Sequence, residues 1–102
     1  MKNQLSRRQR ALLNRRTELV TAAVSAANVA NGGWHVYLDY APREYEVWHV
    51  QHEHICTIRF RRWRRVRVVS VSEKWNDDAD RITWALQGMG CFAVVPSRKA
   101  RL

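Results

Sequence analysis

The stretch WHVYLDYAPREYEVWHVQHEHICTIRFRRWRRVRVVSVS, residues 34 to 72, decides the fold, because its apolar residues recur at every second position. Successive side chains of a strand point to opposite faces of a sheet, so this period reads as strand rather than helix. Trp34, Val36, Leu38 and Tyr40 form one inward series. Tyr45, Val47 and His49, then Cys56, Ile58 and Phe60, then Val66, Val68 and Ser70 continue it. Turns are expected at Ala41 to Glu44 with Pro42, at Gln51 to His54, and at Arg61 to Arg65. Four antiparallel strands in a meander follow, with Tyr40 opposite Tyr45, Val50 opposite Ile55 and Phe60 opposite Val66.

That register makes one face apolar in all four strands, and the segment before it supplies a cover. Ser6 and Gln9 have capping-box spacing, and Leu12, Leu19, Ala23, Ala26, Ala27 and Ala30 recur at helical intervals until Asn31-Gly32-Gly33. The spacing predicts one long helix. On the C-terminal side, Asn76 followed by Asp77, Asp78 and Asp80 marks a second helix start, with the carboxylates suited to the positive end of its dipole. Ala79, Ile82, Ala85, Leu86 and Met89 form its apolar stripe before Gly88 and Gly90, and Cys91 to Val95 reads as a short buried strand stopped by Pro96. The expected fold class is α+β: a long N-terminal helix on an antiparallel four-stranded meander, then a second helix and a short final strand. Residues 1 to 102 are expected to form one domain, with 1 to 5 and 97 to 102 flexible.

Turned over, the same register places Asp39, Glu46, Arg59 and Arg67 in one row of the second face. Tyr37, Trp48, Val50, Ile55, Val69 and Val71 lie beside them, too apolar a set to be left in water as one patch. Tyr37, Trp48, Val50 and Val69 are therefore candidate protein-interface residues, for a partner or for a homodimer.

Charge points outward from the fold. The chain carries 18 Lys and Arg against 9 Asp and Glu, for a net charge of +9. Arginine supplies 15 of the 18, and its planar fork matches phosphate oxygens in pairs. Six arginines fall in nine residues: Arg59, Arg61, Arg62, Arg64, Arg65 and Arg67, with Trp63 at the centre. Guanidinium groups do not lose their charge, so a run this dense calls for a polyanion or a set of carboxylates facing it. The expected site is a hairpin tip that grips a phosphate backbone, DNA or RNA, with Trp63 placed to stack on a base or wedge between base steps. Arg7, Arg8, Arg15 and Arg16 either extend this footprint or form a solvated helix face. The competing accounts pair the hairpin with Glu73, Asp77, Asp78 and Asp80, or turn it toward an acidic protein.

No catalytic constellation stands out. His49, His52, Glu53 and His54 have the spacing of some metal sites, but the register sends His49 inward and leaves His52 and His54 in a turn. Asp39 opposite Glu46 is the one carboxylate pair that could hold Mg²⁺ for phosphodiester cleavage, and Arg59 beside it argues for an ion-paired ladder instead. The four glycines fall at element ends, so neither a phosphate loop nor a dinucleotide fingerprint is present. The expectation is a non-enzymatic binder without metal or cofactor. Cys56 and Cys91 lack CxxC spacing and read as small buried side chains. No secretion signal or spanning segment is legible, so a cytoplasmic location is expected.

The order helix, strands, helix is similar to that of the double-stranded RNA-binding domain, whose last helix opens on lysines. Asp77, Asp78 and Asp80 stand there in this chain, and no family is assigned. The leading expectation is a small basic nucleic-acid-binding protein with little sequence selectivity. The alternative is an inhibitor or adaptor, of the kind phages and mobile elements encode, that binds a protein or nucleoprotein complex.

Overall fold

Ser6 Oγ accepts the Gln9 backbone N–H at 3.1 Å while Gln9 Oε1 accepts that of Ser6 at 2.8 Å, so the expected capping box starts the first helix. The computed structural model describes residues 6–38, 43–62, 64–70 and 72–94. In it α1 spans Arg7–Ala26, and the chain continues through a 3-10 turn, Val29–Gly32. The helix stops short of its expected end at Asn31 because Asn28, Ala30 and Asn31 all take positive φ, between 48° and 53°. That left-handed backbone is costly for alanine. It is held by contacts with the second helix: Asp78 Oδ2 accepts the Ala30 backbone N–H at 2.9 Å, and Arg81 Nε donates to the Ala27 carbonyl at 3.0 Å.

Strands β1 (Trp34–Leu38), β2 (Glu44–His49), β3 (His54–Arg62) and β4 (Arg65–Ser70) follow as the expected antiparallel meander. The second helix, α2 (Asn76–Gly88), returns the chain to β5 (Phe92–Val94), which pairs parallel to β4. The sheet therefore has five strands in the order β1-β2-β3-β4-β5 and is mixed rather than antiparallel throughout. Parallel neighbours need a crossover between them, and α2 provides it.

The β3–β4 register matches the expectation, with Phe60 opposite Val66 and Arg59 opposite Arg67. The two earlier registers differ from it by two residues: Leu38, not Tyr40, faces Tyr45, and Glu44, not Glu46, faces Arg59. A slip of two keeps every side chain on its expected face, which is why the hydrophobic pattern alone did not resolve it. Tyr40, Pro42 and Val71 lie outside the described residues.

Tyr45, Val47, Cys56, Ile58, Phe60, Val66 and Val68 are buried together with Val20, Ala23, Val24 and Ala27 of α1 and Ala79, Ile82 and Leu86 of α2. Both helices thus cover one face of the sheet. Ile55, expected on the other face, is fully buried in this core. A bulge causes the change: pairing passes from Val47–Cys56 to Trp48–His54, leaving Ile55 as the extra residue that turns inward. Val50, expected at the end of a strand, lies in the turn after β2 and is exposed.

The second helix is not capped by Asn76. Its first residue is Asn76 itself, preceded by a 3-10 turn, Glu73–Trp75, and no side chain caps it. Asp77 and Asp78 still occupy its first turn, where the dipole favours them. Its expected stripe is right at Ala79, Ile82 and Leu86, whereas Met89 is exposed and Thr83 is buried, donating to the Ala79 carbonyl at 2.8 Å. Gly90, at φ +89°, forms the reversed bend after α2 where its N–H meets the Gln87 carbonyl. No helix among the described residues is long and apolar enough to cross a membrane.

Candidate nucleic-acid interface

With both helices on one side, the other side of the sheet has no element packed on it among the described residues. Strand alternation sends Arg59 from β3, and Arg65 and Arg67 from β4, to this open side, because Ile58, Phe60, Val66 and Val68 turn inward, and Arg62 joins them as the partner of Arg65. Arg61, Arg62 and Arg65 line a cleft of about 390 Å³ at the hairpin end. The hairpin is tighter than expected: Arg62 faces Arg65, and a second bulge between Phe60 and Arg62 fits the extra residue. Trp63, expected at its apex, lies outside the described residues.

Acidic partners inside the chain are few. Arg59 Nε meets Glu44 Oε2 at 2.6 Å, so the expected row of two acids and two arginines is Glu44, Arg59 and Arg67. Asp39 lies outside the described residues, and Glu46 instead faces Tyr37 and accepts the Trp48 indole N–H at 2.9 Å. Asp78 is engaged by Arg81 at 3.0 Å and by Ala30, and Glu53 by Lys74 at 2.9 Å and by the Trp75 indole at 3.1 Å. Those bonds hold the Glu53 carboxyl below its ordinary range, the Lys74 hydrogen bond contributing most. Arg61, Arg62, Arg64, Arg65 and Arg67 are exposed and form no ion pair among the described residues.

The arginines do not all stand in one place. Arg64 leans toward the end of α2, its Nη1 about 3.2 Å from where a Cβ on Gly90 would lie. Arg16, expected on the helix surface, is only 6% exposed. Its guanidinium lies 4.7 Å from the Phe60 ring centroid, a cation–π contact inside the domain. Burial, opposed in part by nearby Tyr45, pulls its pKa below the ordinary arginine value. Arg7, Arg8 and Arg15 are exposed on α1, which covers the opposite side of the sheet from Arg65 and Arg67. No acidic residue accompanies them in the first turn, so Arg7 and Arg8 act against the helix dipole there.

The open face also carries rings. Tyr37 is 51% exposed and meets Trp48 edge-on at 6.4 Å, and Trp48 stacks on His54 at 4.9 Å with planes 15° apart. His35 lies 4.9 Å from Tyr37. At the other margin Phe92 is 64% exposed, with the Arg65 guanidinium 5.1 Å from its ring centroid. Val69 is half-buried between the two groups of rings. His54, expected in a turn, opens β3, where its Nε2 lies 3.2 Å from the Cys56 carbonyl and 3.3 Å from Thr57 Oγ1. His49 packs on Trp75, His52 is an exposed turn residue at φ +67°, and no metal-holding group of three His, Cys, Asp or Glu occurs among the described residues.

Sequence reasoning missed Phe92. The run from Cys91 to Val95 is apolar throughout, and a three-residue strand is too short for alternation to show that Ala93 turns in while Phe92 and Val94 turn out. Cys56 and Cys91 are buried free thiols, and burial pushes Cys56 up to about 12. Against protein-family models, curated proteins and solved structures, the chain finds no match.

Proposed function

We propose that the protein binds nucleic acid through the arginine hairpin, contacting the phosphate backbone with little sequence selectivity. One observation carries this reading: Arg61, Arg62, Arg65 and Arg67 are exposed side by side without a carboxylate partner among the described residues. Like charges held together cost energy, and counterions released from phosphate repay it when a polyanion binds. Arg64 and the helical Arg7, Arg8 and Arg15 add to the attraction at longer range. Arg16, buried over Phe60, belongs to the framework instead.

With four or five phosphates neutralised, log affinity plotted against log salt falls with a slope of about −3 to −4.5. A mobility-shift titration over a range of salt concentrations measures it, and a flat response removes the proposal. The second reading, an inhibitor or adaptor docking on a protein or nucleoprotein complex, is favoured by the exposure of Tyr37 beside Trp48. It predicts that Tyr37→Ala abolishes the cellular effect while affinity for nucleic acid stays as it was.

A further inference from the structure

Which form of nucleic acid suits this surface is decided by what flanks the hairpin. A two-stranded ribbon enters the major groove only if it projects alone, and this one does not. β2 runs beside β3 as far as Glu44 opposite Arg59, and the Phe60 N–H reaches the Arg43 carbonyl beyond it. On the other side β5 accompanies β4, with Phe92, Ala93 and Val94 paired to Arg65, Val66 and Arg67. Arg59 and Arg67 are thus set in a row of four strands, β2 to β5, about 14 Å between the outer strand axes before side chains are added, against a major groove of about 12 Å.

Resting on the reading of this face as a nucleic-acid site, we propose that the open sheet face binds a single strand, with bases stacked on Tyr37 and Trp48 at one margin and on Phe92 at the other. Phosphates then meet Arg62, Arg65 and Arg67 at the hairpin end, beside Phe92. Every base has a flat face to stack, which makes such a platform tolerant of sequence, whereas in a duplex those faces are already stacked on one another. One ring is fixed in advance. Trp48 is held between His54 and its bond to Glu46, so little ordering is needed there on binding. The registers set Tyr37 and Trp48 level with the end of β4 and Phe92 level with its start at Arg65, so the two groups of rings lie about 20 to 25 Å apart along a diagonal of the face, a span for a strand of several nucleotides. Charge decides against an apolar protein partner. The centre of such an interface is depleted of charge, and here one end of the face is crowded with the guanidinium groups of Arg62, Arg65 and Arg67, with the Phe92 ring among them.

The test titrates the full chain with oligo(dT), oligo(rU), a duplex of equal length and polyglutamate at one salt concentration. Tyr37→Ala and Phe92→Ala are the variants, and Trp84→Ala is the control, since Trp84 is 57% exposed on α2, which packs on the opposite face. All three positions are largely exposed, so circular dichroism is expected to report intact folds. The wild type is expected to bind a single strand more tightly than duplex or polyglutamate. Each ring variant is expected to lose about 5- to 150-fold on the single strand, and Trp84→Ala to lose nothing. Duplex binding equal to or tighter than single-strand binding, with both ring variants unchanged, overturns the platform while leaving phosphate contact standing. Polyglutamate bound as tightly as oligo(dT) overturns it in favour of an acidic protein. Absence of binding to every oligonucleotide at low salt overturns this inference together with the reading it rests on.

Discussion

The two faces of the sheet come from the same strands and alternate residue by residue, yet they obey different rules. On the covered face Tyr45, Ile58, Phe60, Val66 and Val68 are buried beneath α1 and α2. Their one-residue neighbours Glu44, Arg59, Arg65 and Arg67 stand on the open face, where no packing requires an arginine. Burial of apolar area accounts for the first set, at about 1.5 to 3 kcal/mol for each large side chain. The second set contributes little to folding, and its like charges oppose one another. A face that costs stability and gains none from packing is where an external ligand is to be sought, which is why Arg62, Arg65 and Arg67 carry the functional reading while Arg16, chemically identical, does not.

Substitutions that respect this division sharpen it, and those that cross it are the ways to break it. The largest effect is expected at Ile58, where Ile58→Ala should cost about 2 to 5 kcal/mol in urea unfolding and leave the salt slope of any surviving folded protein unchanged. Arg16→Ala should cost about 1 to 3 kcal/mol through lost packing on Phe60, again without changing the slope. If instead it weakened binding and spared stability, the line between framework and interface would be wrongly drawn. Arg67→Gln should change stability by less than about 0.5 kcal/mol. The smallest effect belongs to α1: Arg7→Glu should stabilise the fold by about 0.3 to 1 kcal/mol by favouring the dipole, at some loss of affinity for a polyanion.

Alkaline titration probes the covered face independently. Burial raises the Cys56 thiol from its ordinary 9.0 to about 12 and moves the Tyr45 hydroxyl upward from 10.0. Both groups ionise more readily in the unfolded chain, so their contribution is complete below the ordinary values and is lost as pH rises toward the folded ones. Stability should therefore fall between about pH 9 and pH 12, and Cys56→Ala should flatten the early part of that fall. Chemical unfolding at a series of pH values checks it.

Much of this was legible in the chain because the face assignment depends only on a period of two. Both readings place Val47, Cys56, Ile58, Phe60, Val66 and Val68 inward and Tyr37, Arg59 and Arg67 outward. What the chain did not disclose depends on contacts distant in sequence. The left-handed Ala30 held by Asp78 and the parallel pairing that brings Phe92 beside Arg65 each involve a partner far along the chain, and the bulge that turns Ile55 inward breaks the period of two itself. The two-residue error in register had a similar origin, since a slip of two leaves the pattern of burial intact and alters only which charges meet. Glu44 rather than Glu46 therefore pairs with Arg59.

The central claim is that the open-face guanidinium groups meet negative charge from outside the molecule. Its most direct test compares the salt slope of oligonucleotide binding for the wild type and for the triple variant Arg62→Gln, Arg65→Gln, Arg67→Gln. Loss of three phosphate contacts predicts a slope shallower by about 2 to 2.7, with unfolding free energy nearly unchanged. An unaltered slope in a folded triple variant would contradict the account.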